Sequence, residues 1–410
     1  MTSRARRLDL LIVLLLLLAG CVPAKQTTPT APPQPARPAP PVVQPLPPPA
    51  PPGPLVAGLL LPLSGKDAAL GRDLLDAAQL ALFDRPNADL VLLPRDAGST
   101  PEAARGAARE ALEAGAELLL GPLLSGAAAA VAPVARERGR VVLSFSNDAS
   151  IASGDLFVLG WRPEEQVERI LRHALDQGWR RLGLLAPADG YGRRAVEAWQ
   201  RFLGGLGEPA VDAVGTYPAS GDATAAVRAF LDRHGGGGSN GAPGLDAILI
   251  ADGGVRLRQI AALLAFYDVD PAVTRLLGTR LWVDDPGVLR DPALRGARIA
   301  APDPTAEAAF RRRFAAIYGR EPLPLAALGH DAVVAAAAAS AGSPRPDLAA
   351  LLDPRGHDGA VGPFRLRPDG LAEHALAILE LGDSGLRLVE PAPLRLALAL
   401  RRAGDVSATP

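Results

Sequence analysis

The chain has 410 residues, 48% of them hydrophobic and 21% charged, and a formal net charge of -1. That balance excludes the basic footprint of a nucleic-acid binder and the polybasic face of a protein held on anionic lipid by charge. One cysteine in the whole chain excludes an intrachain disulfide framework and any cysteine metal cluster.

The first twenty residues run from a basic start, Arg4, Arg6 and Arg7, through an apolar stretch at 10–18, to the small pair Ala19-Gly20. That is the order of a secretory signal peptide. The stretch is well short of the ~20 residues needed to span a bilayer, so the mature protein is expected not to cross a membrane. Leu18-Ala19-Gly20-Cys21 resembles the lipobox of bacterial lipoproteins, which implies a diacylglycerol on the Cys21 thiol and an acyl chain on the new terminal amine. Two or more chains hold a protein on a bilayer almost permanently. The alternative is a signal peptide that contains a Cys incidentally. By the same resemblance, Val22, in place of the Asp that retains lipoproteins at the inner membrane, points to the periplasmic face of the outer membrane. Loss of the signal takes the formal charge to about -3.

Residues 22–54 carry 15 prolines among 33 positions. Such a segment favours polyproline II at ~3.1 Å per residue and reaches roughly 100 Å when extended, a spacer between lipid and body. A PxxP ligand for a partner domain is the other reading. Residues 55–400 exceed the ~250 to 300 residues at which single cores stop growing, so two domains are expected.

Short apolar runs at 56–63, 89–93, 117–120, 141–143, 181–186 and 247–251 read as buried strands. Amphipathic helices lie between them. Thr100 as N-cap and Pro101 at the first helical position open one, with Ala104, Ala107, Ala108, Ala111 and Leu112 on its buried face and Gly115 as its stop. In another, over 164–177, Val167, Ile170, Leu171, Ala174 and Leu175 share one face and Gly178 ends it. The Ala-rich segment 127–138 is a third, kinked at Pro133. Residues 234–243, rich in glycine, read as a surface loop, and the five alanines at 335–339 as a tightly packed helix. Strands alternating with helices of this length give parallel sheets covered on both faces, so the fold class is α/β, doubly wound, present twice.

Gly58-Leu-Leu-Leu-Pro-Leu-Ser-Gly65, Gly121-Pro-Leu-Leu-Ser125, Leu143-Ser-Phe-Ser-Asn-Asp148, Asp189-Gly-Tyr-Gly192 and Gly362-Pro-Phe-Arg-Leu-Arg-Pro-Asp-Gly370 follow one another in this frame. With them the body resembles type I periplasmic binding proteins of the leucine/isoleucine/valine-binding family. The resemblance implies two lobes with a hinge, three crossing segments and a ligand held in the cleft between them. We place the crossings at 156–160, 300–304 and 356–362. Lobe one then comprises 55–157 with 305–355, and lobe two 158–304 with 356–400. Open α/β sheets bind ligands at their strand ends in general.

Ser125 stands after an apolar run and before a helix, where its hydroxyl and the free N–H groups of the first turn suit an anion; capping its own helix is the alternative. By resemblance, Ser144, Ser146 and Asn147 offer donors to the same ligand carboxylate, or else form a Ser or Asx turn. Tyr191 covers an apolar ligand group or is a turn residue. Asp252 receives an ammonium or caps the helix that begins at Gly254. After the strand ending at Gly278, where amino-acid binders of the family place an acid for the ammonium, this chain has Thr279-Arg280. Arg280 would repel an ammonium and attract a second anion.

No G-x-S-x-G, H-E-x-x-H, P-loop or CxxC occurs, and the five histidines are scattered. Neither an enzyme nor a resident metal or cofactor is expected. The expected function is capture of an amino-acid-like or anionic solute for an ABC permease or for sensing. The alternative, on the same fold, is an outer-membrane lipoprotein that activates a penicillin-binding protein. The anchor, the long spacer and Arg280 favour that alternative, whereas the missing helical-repeat domain of known activators weighs against it. A purely structural envelope protein would leave the cleft unused.

Overall fold

A computed structural model describes residues 53–206, 211–234, 244–340 and 342–393. The signal peptide, Cys21 and nearly all of the proline-rich spacer lie outside the described residues, as does most of the glycine-rich segment at 234–243.

Strand β1 (Leu55–Leu61) is flanked by β2 (Leu90–Asp96) and β3 (Leu118–Leu120), and β4 (Val141–Ser144) and β5 (Leu156–Val158) extend the sheet on the β3 side. All of these pairings are parallel. Side chains alternate across a strand, and both faces of β1 are apolar because helices cover both. Leu55, Leu59 and Leu61 join a core with α1 (Ala68–Phe83), while Leu60 joins a second core with α2 (Pro101–Glu113) and α3 (Ser125–Glu137). Thr100 caps α2, its hydroxyl accepting from Ala103 N at 3.2 Å, and Gly115 at φ +95° follows its end.

A second sheet has the order β15-β14-β10-β9-β8-β6-β7. Its central strands β6 (Arg181–Pro187), β7 (Val211–Tyr217), β8 (Ala247–Ile250), β9 (Arg275–Gly278) and β10 (Arg298–Ala301) run parallel. β14 (Ala377–Gly382) and β15 (Gly385–Glu390) add an antiparallel edge. Here Leu185, Ile248 and Ile250 point into one core. Leu184, Ala186 and Leu249 point into the other, with α4 (Pro163–Asp176) and α5 (Gly190–Gly204). The helices α6 (Thr224–His234) and α7 (Gly254–Phe266) pack on the first of these. The expected α/β class, doubly wound and present twice, is what these two sheets form.

After β10 the chain returns to the first sheet through α8 (Pro304–Tyr318) and α9 (Ala327–Ala338), whose Phe310, Phe314, Ala332 and Ala335 enter its core. Alanines let α9 approach α1 closely. At Gly329 the approach is backbone to backbone, since a Cβ there would lie 2.2 Å from Leu74 O. Residues 357–374 form a small antiparallel sheet, β11 (His357–Gly359), β12 (Gly362–Leu366) and β13 (Ala372–His374). Its Phe364 and Leu366 are buried in the same core as β1 and α1. The third passage between the halves therefore lies at 375–377, after the Gly362–Gly370 motif instead of before it. Among the described residues, no helix is long and apolar enough to cross a membrane.

Candidate functional site

The halves meet where Arg194, on the helix after β6, reaches the loop beyond β4, and where Arg280, after β9, reaches Trp161, Pro324 and Glu307. Gly121 ends β3 at φ +87°, and a Cβ there would sit 2.2 Å from Leu60 O. Only glycine fits a backbone pressed that close in a left-handed conformation. The turn that follows delivers Ser125 to the first position of α3.

The serines beyond β4 are largely occupied by the loop itself. Ser144 is fully buried and its hydroxyl donates to Pro122 O at 2.8 Å while accepting from Ser146 N at 3.1 Å. Ser146 Oγ accepts from Asp148 N at 3.1 Å. Asn147 is exposed, and its Oδ1 accepts from Arg194 Nη2 at 3.3 Å. The Ser125 hydroxyl lies close enough to the chain's own Asp148 carboxylate to help hold it ionised. Burial pushes that carboxyl up, but the Ser150 hydroxyl and N–H outweigh it, helped by Arg194 and Ser125, and hold it below its ordinary range. Asp148 therefore stays ionised at neutral pH.

In the second half, Asp189 caps α5, accepting from Gly192 N at 2.8 Å. Gly192 packs so closely on β6 that a Cβ would meet Pro187 O at 1.9 Å. This fixes Tyr191, whose hydroxyl donates to Thr279 Oγ1 at 3.0 Å and is pushed up by burial. Asp252 does not cap α7, whose N-cap is Gly253. It accepts from Tyr217 Oη at 2.8 Å and Gly253 N at 2.7 Å, and burial raises its pKa.

Arg280 is 4% exposed and already paired. Its guanidinium lies 4.1 Å over the Trp161 ring, donates to Asp284 Oδ2 at 2.8 Å and to Pro324 O at 3.2 Å, and stands 3.6 Å from Glu307. Two carboxylates offset the charge expected to draw a second anion. Of the expected residues, Asn147 and Arg280 make contacts between the halves, Ser146 and Tyr191 bond within their own halves, Ser144 is buried and Asp252 is tied to Tyr217.

Sequence reasoning passed over Trp161, Glu164 and Arg194. Arg194 Nε stands 3.9 Å from Glu164 Oε1, and burial pushes the Glu164 carboxyl up. Trp161 Nε1, Glu164 Oε2, Arg194 Nε and Arg280 Nε are buried without a hydrogen-bond partner. Buried polar atoms are nearly always satisfied, and these four belong to a set of twelve unpartnered ones among the described residues. The only advance signal was position: Arg194 follows the Asp189–Gly192 motif, and Trp161 follows the first passage between the halves. Among the described residues, no group of three or more His, Cys, Asp or Glu is placed to hold a metal ion.

Known proteins place this arrangement in context. The family described as periplasmic binding protein matches residues 54–385. A putative branched-chain amino acid ABC transporter structure from Rhodospirillum rubrum superposes with a TM-score of 0.71 at 21% identity, covering 82% of this chain and 100% of that one. A solute binding protein of an ABC transporter from R. palustris, in complex with 4-hydroxybenzoate, gives 0.62 at 16% identity over 85% and 99%. At such identities these two likenesses speak for the fold alone. In sequence, a penicillin-binding protein activator, LpoA of Vibrio cholerae, is 27% identical over 161 residues, which is 36% of this chain. The chain spans about a quarter of that relative's length, the matched part being 26% of it.

Proposed function

The chain belongs to the type I periplasmic binding proteins of the leucine-binding kind, and from that premise we propose that it binds a small amino-acid-like or anionic solute between its two halves. The observation that carries this is the set of unpartnered polar atoms, Trp161 Nε1, Glu164 Oε2, Arg194 Nε and Arg280 Nε. A solute bearing both donors and acceptors satisfies them, with Ser146, Asn147 and Tyr191 at the edge of the cleft. The halves act as lobes joined by the three passages, and the solute is handed to an ABC-type permease or sensed. Cys21, lipidated, anchors the body to the periplasmic face of the outer membrane, and the proline-rich segment sets its reach. Thermal-shift screening of refolded protein against amino acids, benzoates, short peptides and wall fragments is the test. A ligand at 100 times its Kd adds ~2.7 kcal/mol, a clear rise in Tm, and a flat response across the panel sinks the proposal.

A second reading is activation of a penicillin-binding protein. The similarity to the Vibrio cholerae activator supports it, as do Asp148 and Arg280, whose charges are already matched by Arg194 on one side and by Asp284 and Glu307 on the other. A solubilised-envelope pull-down that recovers no penicillin-binding protein counts against it.

A further inference from the structure

Most ion pairs here lie within one half, as do Arg181–Asp246 in the second and Arg313–Asp84 in the first. The buried Glu165–His374 pair, between α4 and β13, does otherwise, and so do two arginines. Arg194, on α5 of the second half, reaches Asn147 Oδ1 at 3.3 Å and Asp148 Oδ1 at 3.6 Å in the loop beyond β4 of the first. Arg280, after β9, reaches Pro324 O and Glu307 on the elements that carry α8 into the first core. Each keeps a second carboxylate at home, Glu164 for Arg194 and Asp284 for Arg280.

The two ties differ in setting. Arg280 is buried, lies on Trp161 and is held in place by a 2.8 Å charged hydrogen bond to Asp284 of its own half, from where it reaches Pro324 O at 3.2 Å and Glu307 at 3.6 Å. Arg194 stays partly exposed, with a side chain 20% accessible, and its contacts all fall between 3.3 and 3.9 Å. Its Nε is unpartnered. A guanidinium with spare donors, long contacts and solvent access is exchangeable, because a better acceptor can draw it away at little cost.

We propose that Arg280 and Arg194 form an intramolecular latch across the cleft, Arg280 the fixed member and Arg194 the exchangeable one, which holds the two halves closed by the chain's own charges. Closure therefore does not wait for a solute. The exchange step alone rests on the solute-binding function: a ligand carboxylate takes Arg194 from Asn147 and Asp148 and inherits its tie.

The halves' separation reads the latch directly. Cys21 is the only cysteine, so in the full chain bearing Cys21→Ser two labels are placed by Glu102→Cys and Ser220→Cys. Both sites are exposed, one at the start of α2 and the other just beyond β7, on opposite sides of the cleft. Spin-label distances are measured on refolded protein with no solute added. The latch predicts one narrow distance, lengthened and broadened by Arg194→Gln. Raising NaCl from about 50 mM to about 500 mM should move the parent the same way, since exposed charges are screened over a Debye length that shrinks with salt. Asp148→Asn, on the other side of the cleft, should reproduce the change if Arg194→Gln does not fold. Arg313→Gln, which breaks a pair inside one half, should leave the distance alone. Superimposable distributions for parent, Arg194→Gln and Asp148→Asn at both salts overturn the latch. A latched parent with a flat ligand screen removes solute binding and leaves the latch, and an unlatched parent with a ligand hit does the reverse.

Discussion

Replacing Arg280 with Met keeps most of the side chain's volume and deletes its charge. The structure sets the cost. The hydrogen bond to Asp284 is charged, worth ~1.5–3 kcal/mol net, and a desolvated guanidinium on a tryptophan contributes about 2 kcal/mol. Asp284 and Glu307 are left facing each other without their cation, both still a fifth to a quarter accessible, so water recovers part of the loss. A cost of about 2–4 kcal/mol follows, below the upper range for breaking a fully buried pair. Asp284 is already pushed up by burial, and losing Arg280 pushes it further. An acid with a raised folded pKa costs stability as pH climbs through that value, so Arg280→Met should be less damaging at pH 5 than at pH 7. Adding Asp284→Leu removes the stranded charge, and the pair should couple by about 1–3 kcal/mol. Urea unfolding followed by tryptophan fluorescence measures all three variants. Simple additivity, or a cost for Arg280→Met no larger than the ~0.5 kcal/mol of an ordinary surface change, would refute the placement of Arg280 as a buried tie.

Gly329→Ala should lose about 1–3 kcal/mol by overpacking, because its Cβ would meet Leu74 O at 2.2 Å and force α9 off α1; an unchanged urea midpoint would contradict that contact. The Glu164 carboxyl is raised by burial, so its contribution to stability is greatest below the ordinary carboxylate range and falls as pH rises through the raised value. Glu164→Gln should abolish that fall, giving a variant no less stable than the parent at pH 7; a larger loss at pH 7 than at pH 4.5 would show the carboxylate to be favourably paired. Tyr217→Phe leaves Asp252 with one backbone donor and should cost about 1–2 kcal/mol, checked by the same unfolding curves, with no loss expected if Asp252 is solvated.

The frame was legible because burial is written in local periodicity. Both faces of β1 are apolar, Thr100-Pro101 starts a helix and Gly115 stops it, and the structure repeats each of these. The third passage was not legible in place, since Gly362–Gly370 has the same alternating pattern whichever half it packs on, and only Phe364 and Leu366 entering the first core decide it. The cleft was half legible. Asn147 and Arg280 do reach the opposite half. What the expected residues do depends on partners far along the chain: Asp148 lies 23 positions from Ser125, Glu307 27 from Arg280 and Thr279 88 from Tyr191. A motif shows a donor's position, and only the fold shows whether an internal acceptor has already claimed it.

Calorimetric titration tests the central claim, solute capture in this cleft, most directly, using whichever ligand raises Tm most, against the parent, Tyr191→Ala and Arg194→Gln. The account predicts one site per chain with affinity reduced tenfold or more, about 1.4 kcal/mol, in both variants. No heat from any ligand, or the same affinity in all three proteins, would contradict it.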